Sequence, residues 1–150
     1  MIPPLPPDSP LAGDPGWLYG ATLFETIPVY GGEPYLWKYH WDRMAREAED
    51  LGLCLPFTPD DLYKECRDRI RREAEDRFLL RVTVSSAGTW SLTCRLFTAQ
   101  PDQFSQGWDA RLVPPCWNNR PGFWGAWKTG NYWGCIQAKK YAASAGCDEG

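Results

Sequence analysis

Ala126-Trp127-Lys128-Thr129-Gly130-Asn131-Tyr132-Trp133 sets one lysine among small, aromatic and uncharged residues, just ahead of a helical pattern. Asn131 is a favourable N-cap, and Tyr132, Cys135, Ile136 and Lys139 follow at helical spacing, with Ala142, Ala143 and Gly146 closing the segment. The pattern predicts a helix opening at Asn131. A lysine held on a loop by bulky aromatic neighbours is poorly hydrated, which disfavours the ammonium and favours the neutral amine. Such an amine can form a Schiff base with an aldehyde. Spacing alone favours a plainer reading, a lysine whose stem lies along a tryptophan-rich surface with its charge in water.

The 150 residues, 43% apolar and 23% charged, are enough for a sizeable core. A net charge of −3 without a basic stripe argues against a nucleic-acid partner. No apolar run reaches membrane-spanning length, and no basic segment followed by an apolar core opens the chain, so a cytoplasmic protein is expected. The six cysteines stand singly, with no C-x-x-C pair, and read as reduced thiols rather than as a disulfide framework or a metal site.

Working back toward the N-terminus, Phe78 to Ser86 and Trp90 to Thr98 read as two strands joined by Ala87-Gly88-Thr89, and Asp109 to Val113 as a third. Thr58-Pro59-Asp60-Asp61 opens a helix, with Thr58 as N-cap, Pro59 first and two acids in the positive first turn. Leu62, Cys66 and Ile70 mark its buried face, and Glu65 with Arg69 and Asp68 with Arg72 are expected as surface pairs. An earlier helix carries Trp41, Met44, Ala45, Ala48 and Leu51 and ends at Gly52. Trp17 to Tyr30 reads as strand, with Pro28 marking an edge or bulge. Gly31-Gly32 is a hairpin turn, after which Glu33 to Lys38 returns as a short strand. The prolines of residues 1–16 predict an extended, loosely held arm. The expected organisation is this arm, a small domain over 17–114, a Pro/Asn/Gly-rich connector over 115–125, and the beginning of a second domain over 126–150.

Three blocks resemble the class IV (fold-type IV) pyridoxal-phosphate enzymes, which include branched-chain aminotransferases, D-amino-acid transaminases and aminodeoxychorismate lyases. Leu18-Tyr19-Gly20-Ala21-Thr22-Leu23-Phe24-Glu25-Thr26-Ile27 is similar to a Y-G-x-x-x-F-E-T/G motif. His40-Trp41-Asp42-Arg43-Met44 is similar to H-x-x-R-L, and Lys128-Thr129-Gly130-Asn131-Tyr132 to K-x-x-N-Y with a downstream G-x-D-E. The resemblance implies an α+β fold, with a small N-terminal domain leading into the cofactor-binding large domain. It implies pyridoxal 5′-phosphate as cofactor and an aminotransferase acting on an amino acid and a 2-oxo acid. The alternatives are an aminodeoxychorismate lyase of the same fold and a truncated, non-catalytic association module.

By the same resemblance Lys128 is the catalytic lysine that binds the cofactor aldehyde, and Arg43 holds the phosphate; the plainer reading of its exposed helix position is an ion pair with Glu47 at i+4. Tyr132 reaches the cofactor's phenolic oxygen or packs in the core. Tyr19 and Phe24 line the substrate pocket or, equally, are core aromatics. His40 is expected to pack a helix, and Arg81 to pair with a neighbouring acid or to meet a substrate carboxylate. No metal is implied. A homodimer is implied, as is a complementary C-terminal segment carrying the E-G-x-x-x-N motif that these 150 residues lack. The three-residue step from Lys128 to Asn131 is closer to the D-amino-acid transaminase and aminodeoxychorismate lyase groups, and Pro28 stands where many relatives carry arginine.

Overall fold

The computed structural model describes residues 6, 8–74, 77–97, 103–113 and 126–149. The chain divides into two compact units, Met1–Phe97 with Lys128–Gly130, and Thr98–Trp127 with Asn131–Gly150. The first unit contains α1 (Pro15–Tyr19), β1 (Thr22–Tyr30), β2 (Glu33–Pro34), α2 (Trp37–Asp50), α3 (Pro59–Ile70), β3 (Arg77–Ser85) and β4 (Trp90–Leu96). The four strands form an antiparallel sheet in the order β2-β1-β3-β4. Ile27, Val29, Phe78, Leu80, Val82 and Val84 alternate along β1 and β3 to face Met44 of α2 and Leu62, Cys66 and Ile70 of α3. Burying each such side chain stabilises the fold by about 1.5–3 kcal/mol, which is why the period-2 and period-3.6 patterns dictate where strands and helices lie.

Local signals explain most boundaries. Gly31 and Gly32, at φ +56° and +76°, make the tight turn between β1 and β2. The Thr58 side chain accepts from Asp61 N at 3.2 Å, while Asp61 Oδ2 accepts from Thr58 N at 3.1 Å, a closed capping box at the start of α3. The surface pairs differ from the expected ones: Arg69 turns to Glu73, Asp68 to Arg71, and Arg67 to Glu33 of β2. The strand expected over Glu33 to Lys38 stops at Pro34, because Leu36 takes a left-handed backbone (φ 51°) and α2 begins at Trp37.

The segment before β1 is not a strand from Trp17. Asp14 caps α1 by accepting from Gly16 N at 2.6 Å, Pro15 takes the first helical position, and Gly20 (φ 69°) ends the helix. Nor is the whole arm loose. Asp14 is buried, and its other carboxylate oxygen accepts from Ser85 Oγ at 2.8 Å, tying residue 14 to the end of β3.

Pro28 sits in β1 opposite Leu79 without breaking the register. Its carbonyl accepts from Tyr35 N, so the even-numbered residues of β1 present their backbone groups to the side away from β3. β2 covers only Val29 and Tyr30 there, so a residue with no N–H is tolerated on what is locally an edge. The rest of that edge receives the lysine loop. Phe24 N donates to Lys128 O at 3.0 Å, and Gly130 N to Thr22 O at 3.0 Å, making an antiparallel bridge between Leu23 and Thr129.

The second unit contains α4 (Gln103–Gln106) and α5 (Trp133–Ser144). The expected third strand over Asp109 to Val113 is reduced to a single bridge between Ala110 and Glu149, bracketed by Arg111 N to Glu149 O at 2.8 Å and Asp148 N to Asp109 O at 2.8 Å. α5 opens one residue later than expected, with Tyr132 rather than Asn131 at the N-cap position and no side-chain cap bond. Its buried face is Gly134, Ala138 and Ala142, and Cys135 and Ile136 are exposed. The connector over 115–125, Cys116 included, lies outside the described residues. The five described cysteines are free thiols, and burial pushes Cys66 up to about 12. No helix among the described residues is long and apolar enough to cross a membrane.

Replacing Asp14 with alanine removes the α1 cap and the acceptor of the buried Ser85 O–H. The expected loss is about 1–3 kcal/mol, read as a lower thermal midpoint, with Asp14→Asn retaining part of it.

Candidate active site

Lys128 is half-buried, and its Nζ lies 4.5 Å from the centroid of the Phe24 ring. Phe24 is 3% exposed and occupies the face of β1 opposite the main core. Arg81 of β3, diagonal to Phe24 in the register, lays its guanidinium on the same ring, 3.6 Å from the centroid. The aromatic neighbour that dries Lys128 is therefore Phe24, brought up by the bridge to β1. Burial of the amine holds its proton affinity below the ordinary lysine range; Glu25 and Glu47 oppose that, while Arg43 and Arg81 reinforce it.

Glu25 stands between Leu23 and Ile27 on the core side of β1 and is 2% exposed. Arg43 grips it with two bonds, Nε to Oε1 at 2.5 Å and Nη2 to Oε2 at 2.6 Å. His40 Nδ1 lies 2.8 Å from the same Oε2. Burial raises the Glu25 carboxyl, but hydrogen bonds from His40 and Arg43, with the Arg43 charge, outweigh it and hold the group below its ordinary value. His40 packs α2 against β1, as expected, and does so through this carboxylate.

Arg43 is thus not on an open helix face, and the carboxylate it pairs with is Glu25 rather than Glu47. Its side chain is mostly covered, its cation lies 5.3 Å from the Tyr39 ring, and it neutralises a buried acid. The pair uses two of the five guanidinium N–H groups, leaving three outside it. Glu47, one turn further along α2, is 4% exposed, and its Oε2 accepts from the backbone N of Lys128 at 2.8 Å.

Three of the expected residues, Lys128, Phe24 and Arg43, gather in the first unit. Tyr19 belongs to that unit too but stands 74% exposed at the end of α1, so it is not a core aromatic here. Tyr132 lies in the second unit at the start of α5. From the sequence Glu25 entered only as a letter of the first motif, and Glu47 only as a surface partner for Arg43. An open groove of about 460 Å³, lined by Trp17, Thr22, Thr83, Ser85, Trp90 and Ser91 among others, shares the sheet face that carries Phe24. Among the described residues no cluster of metal-ligating side chains occurs.

The family model for class IV aminotransferases matches residues 22–150. The chain belongs to that family. Its fold is similar to a crystal structure of a provisionally assigned 4-amino-4-deoxychorismate lyase, with a TM-score of 0.76 and 27% identity over 99% of this chain and 57% of that one. The branched-chain amino acid aminotransferase of Escherichia coli shares the fold at a TM-score of 0.69 and 22% identity, over 90% of this chain and 51% of that one. The D-alanine aminotransferase of Staphylococcus epidermidis is 35% identical over 54 residues, which are 36% of this chain and 19% of that enzyme. The chain spans little more than half the length of the solved class IV structures it matches.

Two outcomes follow from the Glu25 cluster. Arg43→Ala leaves a buried carboxylate with His40 alone and should cost about 1–3 kcal/mol or more, seen as a lower thermal midpoint at pH 7. Because the folded Glu25 carboxyl titrates below its unfolded value of 4.5, the stability it confers is complete above that pH and is lost as pH falls through the lower, folded value. Thermal midpoints measured between pH 7 and pH 3 should fall less steeply for Glu25→Gln than for the wild type.

Proposed function

We propose that this protein is a pyridoxal-phosphate-dependent aminotransferase that moves an amino group between an amino acid and a 2-oxo acid, with Lys128 as its catalytic lysine. The observation that carries the reading is the half-buried Lys128 amine over Phe24, within a chain of the class IV aminotransferase family. The residues fit the cofactor chemically. Two guanidinium groups, those of Arg43 and Arg81, act on Lys128 Nζ, and guanidinium N–H groups suit the phosphate of a phosphate-bearing aldehyde. When bound, pyridoxal phosphate supplies the aldehyde that captures an amine and the ring that withdraws electrons from the substrate Cα.

The chain's own residues supply the rest. Burial of Nζ against Phe24 raises the share of neutral, nucleophilic amine. With the cofactor bound and the lysine displaced by the substrate amine, Lys128 Nζ would accept the proton from the substrate Cα and deliver it to the carbon that had been the cofactor's aldehyde. The three N–H groups of Arg43 outside its Glu25 pair are the donors offered to the phosphate, and Glu25 fixes the plane of the guanidinium. Tyr19, exposed at the end of α1, and Phe24 are proposed as substrate contacts. Tyr132, four residues beyond Lys128, is proposed by resemblance as the partner of the cofactor's phenolic oxygen. An aminodeoxychorismate lyase is the second reading, favoured by the 27% identity and 0.76 TM-score to the provisionally assigned lyase. A panel of L- and D-amino acids with 2-oxoglutarate, run beside aminodeoxychorismate, separates the two.

Incubation with pyridoxal phosphate, borohydride reduction and peptide mapping should find the pyridoxyl group on Lys128. Lys128→Ala should abolish that adduct and nearly all turnover. An adduct on Lys38, Lys64, Lys139 or Lys140 in its place would overturn the assignment.

A further inference from the structure

α2 turns one stripe of polar side chains toward β1 and the lysine loop: His40, Arg43 and Glu47, at i, i+3 and i+7. Two of them are accounted for by Glu25. Glu47 is buried to 4% exposure, and the contact that points to its role runs to the lysine itself, from Lys128 N to Glu47 Oε2 at 2.8 Å. We propose that Glu47 is a positioning residue for Lys128, fastening the lysine's backbone to α2 and setting a negative charge beside its amine.

A buried carboxylate is a costly choice for a plain hydrogen-bond acceptor, since removing its charge from water costs several kcal/mol unless it is compensated. A neutral amide or hydroxyl of suitable length would accept the same N–H without that penalty. The charge has a use in this place. Around the Lys128 amine, β1 contributes Glu25, α2 contributes Arg43 and Glu47, and β3 contributes Arg81. Burial and the two arginines drive the proton off Nζ; Glu25 and Glu47 hold it on. Glu25 is committed to Arg43 and His40 through both of its oxygens. Glu47 is the carboxylate attached to the lysine segment directly, so it couples where the loop sits to the pH at which Nζ becomes a nucleophile.

The backbone contact also answers a structural need. The loop is bonded to β1 through Lys128 O and Gly130 N, both on the strand side. The N–H of Lys128 needs a separate acceptor, and Glu47 supplies it from the helix. The lysine's peptide units are thereby pinned between a strand and a helix. A Cβ added at Gly130 would run into Thr22 Oγ1, so this segment has little room to shift.

The importance of this control for catalysis rests on the function proposed above, but its test does not. In the full chain, the pH dependence of Lys128 acylation by acetic anhydride is measured by peptide mass spectrometry, with exposed Lys38 as internal reference. Hydrogen–deuterium exchange reports the Lys128 amide in the same samples. Glu47→Gln keeps an acceptor and removes the charge. It should retain amide protection while the labelling midpoint of Lys128 moves to lower pH and that of Lys38 stays in place. Glu47→Ala should shift the midpoint likewise and speed Lys128 amide exchange by about tenfold or more, the scale of one lost charge-assisted bond. An unmoved midpoint in Glu47→Gln overturns the proposal, and so does unchanged amide exchange in a folded Glu47→Ala. If Glu47→Ala does not fold, the midpoint of Glu47→Gln decides alone. Failure to find a pyridoxyl group on Lys128 would refute the aminotransferase reading and leave this result standing.

Discussion

A carboxylate with almost no exposure to water sits in the middle of β1, and the first unit is arranged so that it can stay ionised there. Glu25 occupies a strand position whose neighbours on the same face, Leu23, Ile27 and Val29, are fully buried. An uncompensated charge at that site would cost several kcal/mol. Compensation comes from α2, whose Arg43 and His40 close on both carboxylate oxygens. Helix and strand are thus held at one register by directional bonds as well as by apolar packing. The same contact fixes the guanidinium that the proposed cofactor phosphate would meet, so a structural requirement and a functional one are met by one pair of residues.

The placement of Lys128 follows from strand parity. In β1 the odd-numbered residues turn their backbone groups to β3, and the even-numbered ones turn theirs outward. β2 is only two residues long, so most of that outward edge would lack partners if the lysine loop did not bond to it. Satisfying the edge brings Lys128 over Phe24 and within the field of Glu25, Arg43, Glu47 and Arg81. The chemistry of the amine is in that sense a by-product of completing a sheet edge.

What could be read from the amino-acid order divides along local and non-local lines. α3 was legible to the residue, because Thr58, Pro59 and Asp61 define its start within four positions. The Gly31-Gly32 turn and the strand pair around Gly88 were legible for the same reason. α1 was missed although its signals are local. Asp14, Pro15 and Gly20 are an N-cap, a first-turn proline and a C-terminal glycine, and the strand-forming aromatics between them drew the reading the other way. Lys128, Arg43 and Phe24 were found through motif order, but their contacts were not, because those depend on residues far apart in sequence. Glu25 could have been noticed as an acid in an apolar slot of an alternating strand. Glu47 could have been noticed as an acid at buried helical spacing from His40 and Met44. The contacts that bury them, Glu25 with His40 and Glu47 with the Lys128 N–H, span 15 and 81 residues, where spacing rules do not reach.

Folding alone, through burial against Phe24 and the surrounding cations, makes Lys128 an amine readier to lose its proton than an ordinary lysine. The most direct test is a pH titration of the Lys128 side-chain nitrogen by NMR in the 15N-lysine-labelled protein, with the Lys128→Arg variant used to assign the resonance. The account predicts a midpoint below the ordinary 10.5, with the exposed Lys38 resonance as the comparison. A Lys128 midpoint at or above that value would contradict it.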